Sequence, residues 1–263
     1  REDVRPRVIG KFDEKGEWVL PEGNWLLPAC GELTPAMIAR VIAERIGRYF
    51  TSLVIRDRLN FLEQKDQQLR QPREVIPRVP YYCSGCPHNT GTKLPDGSMA
   101  LAGIGCHYMA TWIYPSTKTY TQMGGEGVPW IGIAPFSDTP HIFANLGDGT
   151  YFHSGILAIR AAVAAKVNMT YKILYNDAVA MTGGQHVDGF LDVPTLTRQL
   201  AAEGVRRIVI TSDEPEKYDL ICDLAEDVTI HHRDELESLQ KQLRNEAGVT
   251  VLIHDQTCAA EKR

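Results

Sequence analysis

Apolar and polar positions alternate along residues 141–253 in a pattern that is typical of short buried strands separated by amphipathic helices. The apolar runs have the length of strands, and the stretches between them repeat apolar residues at helical spacing. Strands that alternate with helices form a mostly parallel sheet, so the pattern predicts an α/β fold with a doubly wound sheet and helices on both faces. The predicted strands are 141–144, 171–175, 207–211, 228–230 and 249–253, and the predicted helices are 193–202, 215–225 and 234–245.

The N-terminal part has a different pattern. Residues 1–33 mix polar and apolar segments with Gly and Pro, which predicts an extended arm. Thr34 and Pro35 are a good N-cap and first residue for a helix, and a second, highly charged helix is predicted over 53–69. We interpret the two as a solvated helical hairpin that joins two domains. Prolines at 72, 77 and 80 mark the boundary, and we assign 1–74 to an N-terminal extended and helical extension and 75–263 to the α/β domain.

The stretch 145–185 joins two of the predicted strands. It contains a Gly147-Asp148-Gly149 turn, a helix predicted to begin near 153–155, and Asn176 directly after the second strand. The carboxyl ends of parallel strands meet at one edge of a sheet, where open α/β folds bind ligands. The GDG turn alone favours a plain βαβ unit, whereas GDG with Asn at this spacing and the following sequence TGGQ favours a binding site.

This edge of the sheet offers ligands for a magnesium ion that holds a diphosphate. Asp148 supplies a carboxylate, Asn176 an amide oxygen, and Ala178 a backbone carbonyl. Mg²⁺ prefers such oxygen ligands together with phosphate oxygens and water. Gly147 and Gly149 let the backbone approach the phosphates, and the free N–H groups of the following helix favour an anion.

Four of the six cysteines could also reach one edge of the sheet. Cys83 and Cys86 form a CxxC motif in a loop, Cys106 follows a short predicted strand at 99–105, and Cys258 follows the last predicted strand. Four thiolates bind either a zinc ion or an iron–sulfur cluster, and the residues alone do not decide between them. Cys222 lies in an apolar helical pattern and is expected in the core.

Several longer motifs resemble one known family. They are CSGCPHNTGT, LAGIGCHYMA, QMGGEGVPWIG, NLGDGTYFHSG, YNDAVAMTGGQ and DQTCAAEKR. With the GDG…N pattern, they resemble the thiamine-diphosphate domain of the 2-oxoacid:ferredoxin oxidoreductases, most closely the single-chain indolepyruvate ferredoxin oxidoreductases. The resemblance covers about residues 80–263.

The resemblance implies thiamine diphosphate, Mg²⁺ and a [4Fe–4S] cluster as cofactors. His88 and His107 lie beside cluster ligands and would either contact the diphosphate or substrate, or hydrogen-bond the backbone. The expected cofactor-binding residues are His88, Gly105, His107, Gly147, Asp148, Gly149, Thr150, Asn176 and Thr182, the magnesium ligands are Asp148, Asn176 and Ala178, and the cluster ligands are Cys83, Cys86, Cys106 and Cys258.

The implied reaction is oxidative decarboxylation of a 2-oxoacid with coenzyme A, with electrons passing to ferredoxin. The glutamate that activates the cofactor is expected on a pyrimidine-binding domain of the same enzyme, so this chain is expected to be inactive alone. Two alternatives remain: a non-redox thiamine decarboxylase or synthase with a structural zinc, and a zinc-bearing interaction module without activity.

Composition limits the classes of partner that the protein is expected to bind. The formal net charge is −5 and basic residues are interleaved with acidic ones, so nucleic-acid binding is not expected. No apolar run approaches the roughly 20 residues needed to span a bilayer, and no secretory signal pattern is present, which predicts a cytoplasmic protein without a membrane partner. The chain begins with Arg1 and ends with Glu-Lys-Arg, and we expect it to be part of a longer polypeptide that forms a homo-oligomer.

Overall fold

Two helices make up most of what is described of the N-terminal unit, Arg1–Pro77. The computed structural model describes residues 9–13, 25–70, 78–187, 189, 191–221 and 223–262, so Cys222, Pro72 and Pro77 lie outside the described residues. Helix α1 spans Pro35–Ile46, and helix α2 spans Leu53–Arg70. The Thr34 hydroxyl accepts a hydrogen bond from the Met37 N–H at 3.3 Å, which confirms the predicted N-cap.

An ion pair joins the two helices of this unit. Arg40 and Asp66 form an ion pair of 2.5 Å between α1 and α2. Neither helix has a buried side chain, and apolar residues such as Ile42 and Phe61 stay exposed. The predicted pair of helices is therefore present. In the preceding arm, Phe12 and Trp25 form an isolated antiparallel bridge.

Within its described residues, the second unit, Arg78–Arg263, contains a six-stranded, fully parallel sheet with the strand order β1-β2-β3-β6-β4-β5. This confirms the predicted parallel α/β fold. The strands are β1 Ala100–Leu101, β2 Ile142–Gly147, β3 Met169–Tyr175, β4 Arg207–Ser212, β5 Thr229–His232 and β6 Val249–Asp255. The helices are α3 His88–Gly91, α4 Ala110–Ile113, α5 Val128–Ile133, α6 Asp148–Thr150, α7 Ile156–Ala165, α8 Val193–Ala202 and α9 Leu236–Leu243.

One face of the sheet carries the larger apolar core. Successive strand residues point to opposite faces, and Tyr171 and Ile173 of β3 both lie on this side. Ile159 of α7 and Leu196 of α8 pack against them and are fully buried. On the opposite face, α9 contributes a smaller cluster that includes Leu239 and lies against Leu252 of β6 and Val209 of β4. Helices therefore cover both faces, as predicted.

Three predicted helices differ in the structure. Among the described residues of the helix predicted at 215–225, only Pro215–Tyr218 is helical, and it forms a 3₁₀ turn, because Lys217 and Tyr218 both bond to the Asp255 carboxylate at the end of β6. The helix expected near 153–155 begins earlier: α6 starts at Asp148 and continues through a π-helical turn, Tyr151–Gly155, into α7. The helix predicted at 234–245 is a 3₁₀ turn, Arg233–Glu235, followed by α9.

Lys172 is buried in the middle of β3, on the face opposite the larger core. Its side chain is fully buried, and Nζ donates a hydrogen bond to the Lys93 carbonyl at 2.9 Å. Burial lowers the pKa of Lys172 to about 7, because an ammonium ion loses its hydration there. The ordinary value for a lysine in an unfolded chain is about 10.4.

We expect Lys172 to make the free energy of unfolding depend on pH. Between about pH 7 and pH 10 the unfolded chain holds a proton that folded Lys172 lacks, so stability rises with pH by up to about 1.4 kcal/mol per unit. Lys172→Met removes this contribution. Urea denaturation from pH 6.5 to 9.5 should show wild type gaining stability relative to the variant as pH rises. The exposed Lys241→Met is the control, and parallel curves for wild type and Lys172→Met would contradict the prediction.

Candidate functional site

A cavity of about 290 Å³ opens at the carboxyl ends of β2 and β3. Its position follows from the parallel sheet, because both strand ends and the turns after them open on the same edge. All nine residues expected to bind the cofactor line this one cavity. The lining residues are His88, Ile104, Gly105, Cys106, His107, Met123, Gly147, Asp148, Gly149, Thr150, Leu174, Asn176, Ala178, Val179, Ala180, Met181 and Thr182.

Asp148 ties the two strand ends together. Its Oδ2 accepts hydrogen bonds from the backbone N–H groups of Asn176, at 2.9 Å, and Asp177, at 2.8 Å. Its Oδ1 accepts a third bond, from the Gly149 N–H at 2.8 Å. Burial raises the pKa of Asp148, and the three N–H donors act in the opposite direction. The carboxylate therefore fixes the loop after β3 relative to α6.

The loop after β3 is closed by its own hydrogen bonds. The Asn176 Oδ1 accepts from the Ala178 N–H at 3.1 Å, and Asp177 takes a left-handed conformation with φ of 55°. The Thr182 hydroxyl donates to the Gln185 Oε1 at 2.8 Å, and the Gln185 amide donates back to the Thr182 carbonyl at 2.9 Å. Local bonds thus set the shape of this loop before any ligand binds.

The oxygen atoms at this edge fit a magnesium ion with a diphosphate. Mg²⁺ usually takes only one or two protein groups and completes its coordination with phosphate oxygens and water. Asp148 and Asn176 supply a carboxylate and an amide oxygen on the same cavity wall. In the described part of the chain, no three His, Cys, Asp or Glu side chains form a group that would hold a metal ion by themselves. The available donor set therefore suits a cation that arrives with its phosphate ligands.

His88 and His107 form a buried pair on the cavity wall. Their rings meet edge to face with centroids 5.7 Å apart. Burial lowers the pKa of His88 to about 4 and that of His107 to about 3, so both rings are neutral at pH 7. The His88 Nδ1 and the His107 Nε2 have no hydrogen-bond partner among the described residues. These two nitrogen atoms are therefore available to other polar groups.

The four candidate cluster ligands are free thiols. Cys83 is exposed, whereas Cys86, Cys106 and Cys258 are half-buried. Asn89 braces the CxxC loop, because its side-chain amide donates to the carbonyls of Cys83 and Cys86 at 3.3 and 3.1 Å.

Electrostatic interactions link these thiols. Burial raises the pKa of Cys86, and Cys106, Cys83 and Cys258 raise it further. Burial also raises the pKa of Cys106, with Cys258 and Cys83 acting in the same direction. The three chain segments that carry the thiols are therefore within electrostatic reach of one another.

Glu126 connects two loops beside the cavity. It is fully buried, and its carboxylate accepts hydrogen bonds from the N–H groups of Gly124 at 2.7 Å and Ile104 at 3.4 Å. Ile104 lines the cavity itself, and Met123 lies next to Gly124. Glu126 thus has a hydrogen-bonding role that fixes these two loops beside the cavity. The apolar lining residues Met123, Leu174, Val179 and Met181 were not predicted, because side chains of this kind fit a packed core equally well.

Proteins of known name are similar to this chain in sequence. A subunit IorA of indolepyruvate oxidoreductase from Thermococcus kodakarensis is 25% identical over 275 residues, which cover 95% of this chain and 39% of the relative. The same subunit from Pyrococcus abyssi is 28% identical over 224 residues, covering 73% of this chain and 32% of the relative. The chain thus spans about two fifths or less of the length of these relatives.

A solved structure supports the fold. The 2-oxoglutarate:ferredoxin oxidoreductase from Magnetococcus marinus, solved with 2-oxoglutarate, coenzyme A and succinyl-CoA bound, superimposes with a TM-score of 0.53. The match covers 70% of this chain and 66% of that chain at 18% sequence identity. At this identity the likeness supports the fold alone.

Two protein families match separate parts of the chain. The indolepyruvate ferredoxin oxidoreductase middle domain matches residues 1–72, and the thiamine pyrophosphate enzyme C-terminal TPP-binding domain matches residues 103–254. With the named relatives, these matches confirm the resemblance to the indolepyruvate ferredoxin oxidoreductases. The second match spans more than half of the chain and includes Asp148 and Asn176, so the chain belongs to the thiamine pyrophosphate enzymes and carries their C-terminal TPP-binding domain.

Proposed function

We propose that this chain is the diphosphate-binding part of a 2-oxoacid:ferredoxin oxidoreductase. The full enzyme would oxidatively decarboxylate a 2-oxoacid, with an aryl-pyruvate such as indolepyruvate as the preferred class, to acyl-CoA and CO₂ and pass electrons to ferredoxin. The observation that carries this proposal is the single cavity in which Asp148, Asn176 and the buried histidine pair meet, with Cys106 on its wall. The names of the relatives point the same way.

Asp148, Asn176 and the Ala178 carbonyl would hold Mg²⁺ and, through it, the diphosphate of the cofactor. Asp148 is suited to this because three N–H donors hold its carboxylate in place without blocking the whole group. Gly105, Gly147, Gly149, Thr150 and Thr182 would line the phosphates. Bound thiamine diphosphate would stabilise negative charge at the carbon that loses CO₂.

Cys83, Cys86, Cys106 and Cys258 would hold a [4Fe–4S] cluster, which would accept electrons one at a time. Metal-bound cysteines must lose their protons, and burial opposes this for Cys86 and Cys106 in the free chain. A single zinc ion would draw four sulfurs to within about 4 Å of each other, since Zn–S is about 2.3 Å. Among the described residues, no three of these thiols form a group that would hold a metal ion, so the choice of a [4Fe–4S] cluster over zinc rests on the resemblance to the 2-oxoacid:ferredoxin oxidoreductases.

Turnover would require a second domain. Asp148 is the one carboxylate among the described residues that line the cavity, and the backbone bonds already engage it. A glutamate that activates the cofactor would therefore come from a pyrimidine-binding domain of the same enzyme. We also propose that the full enzyme uses coenzyme A as a co-substrate and ferredoxin as its electron acceptor. It would be a homo-oligomer in the cytoplasm.

Removing one cluster ligand is expected to separate redox chemistry from cofactor binding. The variant Cys106→Ser is made in the full-length polypeptide and purified without oxygen. Its labile sulfide content and its rate of 2-oxoacid-dependent ferredoxin reduction should each fall by more than tenfold, because a [4Fe–4S] cluster with one ligand missing is less stable. Cys30→Ser is the control, since the Cys30 thiol is exposed and belongs to the other unit. We would measure the iron, sulfide and zinc content of each protein. We would also assay ferredoxin reduction with indole, phenyl and branched-chain 2-oxoacids. If the wild-type protein contains stoichiometric zinc and no sulfide, and decarboxylates 2-oxoacids without reducing ferredoxin, it would instead be a non-redox thiamine enzyme with a structural zinc.

A further inference from the structure

Polar atoms without partners gather behind one wall of the cavity. Nine buried side-chain nitrogen or oxygen atoms in the described part of the chain lack a hydrogen-bond partner. Five of the nine belong to four residues of one region: both amide atoms of Asn145, the Nδ1 of His88, the Nε2 of His107 and the Nε2 of His254. Buried polar atoms are normally satisfied, so such a concentration requires an explanation.

The strand register brings these residues together with Lys172. Asn145 of β2 and Lys172 of β3 are direct register partners, about 5 Å apart between strands, and both point away from the larger core. His254 of β6 pairs with Leu174, which places it one pleat further along the same face. Asn145 and Lys172 are fully buried, and His254 is 2% exposed.

The two cavity histidines extend this group to the cavity. A Cβ atom built on Gly103 would lie 2.2 Å from the Asn145 carbonyl oxygen and 2.5 Å from the His107 Nε2, so the His107 ring reaches the backbone of β2. A Cβ built on Gly91 would lie 2.8 Å from the His254 ring, so α3, which begins at His88, packs on His254. Both His88 and His107 line the cavity.

Lys172 has spare hydrogen-bonding capacity at the centre of the group. An ammonium ion has three N–H donors, and one bonds to the Lys93 carbonyl. None of the described carboxylates is hydrogen-bonded to Lys172 or forms an ion pair with it. A buried water with two to four polar partners is the usual solution for such groups.

Several titratable or charged groups act on His254 in this region. Among the described residues they are Lys172 on β3, His88 on α3, Arg233 after β5 and Asp213 after β4. Lys172, Arg233 and His88 lower the pKa of His254, after burial as the main cause, and Asp213 opposes them. Lys172, whose pKa burial lowers to about 7, is thus the group that changes charge near neutral pH.

We propose that Asn145, Lys172, His254 and the two cavity histidines enclose a row of ordered internal waters that connects the Lys172 amine with the cofactor cavity and carries protons between them. In this transfer the Lys172 ammonium gives a proton to the adjoining water, and the last water of the row delivers a proton to a basic atom of the molecule bound in the cavity. The neutral Lys172 amine then regains a proton from solvent. The internal water is independent of the reaction, whereas a kinetic role for the proton path rests on the proposed function.

The water itself is tested by a high-resolution crystal structure of the chain. Ordered water is expected within hydrogen-bond distance of the Asn145 amide, the His254 Nε2 and the Lys172 Nζ, continuing to the His88 or His107 ring. In Asn145→Leu, which keeps the branched outline of Asn but replaces its polar atoms with larger methyl groups, the waters beside residue 145 should be lost. Direct contacts between the side chains, with no water among them, would overturn the proposal whether or not the enzyme turns over a 2-oxoacid.

The proton path is tested by the pH profile of the full-length enzyme. Wild-type kcat should fall as pH rises through the range in which Lys172 loses its proton. Lys172→Met and Asn145→Leu should each lower kcat about tenfold or more at pH 7 and remove this limb, with unchanged affinity for thiamine diphosphate and unchanged iron content. Lys241→Met is the matched control, since this exposed lysine lies on α9 and pairs with Glu237.

The outcomes separate the two proposals. If the variants that fold show profiles that superimpose on wild type, the proton path is wrong. If Lys172→Met does not fold, Asn145→Leu decides the matter, since it leaves the lysine in place. If wild type turns over none of the 2-oxoacids, the proposed function fails, and the crystal structure alone then decides whether the waters form a continuous row from Lys172 to the cavity.

Discussion

Asp148→Ala is expected to weaken Mg²⁺-dependent binding of thiamine diphosphate by at least about 100-fold, or roughly 2.7 kcal/mol. The variant loses the carboxylate proposed to bind Mg²⁺, and it also removes the acceptor of three partly buried backbone N–H groups, those of Gly149, Asn176 and Asp177. Without this acceptor the bonds that tie the loop after β3 to residue 148 are lost, so the loop should also lose its defined position. Asp148→Asn keeps the shape of the side chain and should bind more weakly than wild type while the fold is preserved.

The measurement is isothermal titration of the full-length polypeptide with the cofactor, in the presence of Mg²⁺ and in its absence. Asp177→Asn is the matched control: it removes one charge from the same loop, and asparagine tolerates the left-handed conformation of residue 177. The control should bind within about twofold of wild type. Wild-type affinity in Asp148→Ala, with the same dependence on Mg²⁺, would show that the cation is held elsewhere.

Gly103→Ala is expected to destabilise the second unit by about 3 kcal/mol or more. The added Cβ would lie 2.2 Å from the backbone carbonyl oxygen of Asn145 and 2.5 Å from the His107 ring. A backbone carbonyl in the middle of β2 cannot turn away as a side chain can, so the strand or the segment after β1 must move. Because His107 lines the cavity, the same shift should weaken cofactor binding.

Gly132→Ala is the control for this substitution. Nothing lies within 4 Å of the Cβ position at Gly132, which is inside helix α5. Alanine is favoured over glycine in a helix by up to about 1 kcal/mol, so this variant should be unchanged or slightly more stable. Urea denaturation of both variants checks the prediction, and equal stability of Gly103→Ala and wild type would contradict it.

Elements with a clear local signal could be predicted from the sequence. Helix α8 has the predicted limits because Asp192 caps it, with its carboxylate accepting from the Thr195 N–H at 2.8 Å, and Pro194 suits its first turn. The carboxyl ends of β2 and β3 lie at one edge, so the residues expected to bind the cofactor line one cavity, although their roles remain predictions. The prediction of a helix over 215–225 was wrong because contacts of Lys217 and Tyr218 with the distant Asp255 override the local pattern.

Other features depend on tertiary structure that local patterns do not contain. Glu126 joins two loops through backbone N–H groups of Gly124 and Ile104, and a hydrogen bond to Ile104 has no local sequence signal. Lys172 lies inside an apolar run and could be assigned to a strand, yet its complete burial depends on the segment that carries Lys93. The position of β6 between β3 and β4 also comes from packing, since the chain order of the strands does not determine it.

That position affects how the protein must be synthesised. β6, Val249–Asp255, is the last of the described strands, yet it supplies the hydrogen-bonding partner of both β3 and β4. A ribosome must therefore complete nearly the whole domain before the two halves of the sheet can join, and until then the nascent chain exposes two unpaired strand edges. Such edges are templates for association with other chains, and long-range parallel pairing is slow. Folding of this domain should therefore be largely post-translational and should benefit from chaperones that shield unpaired strands.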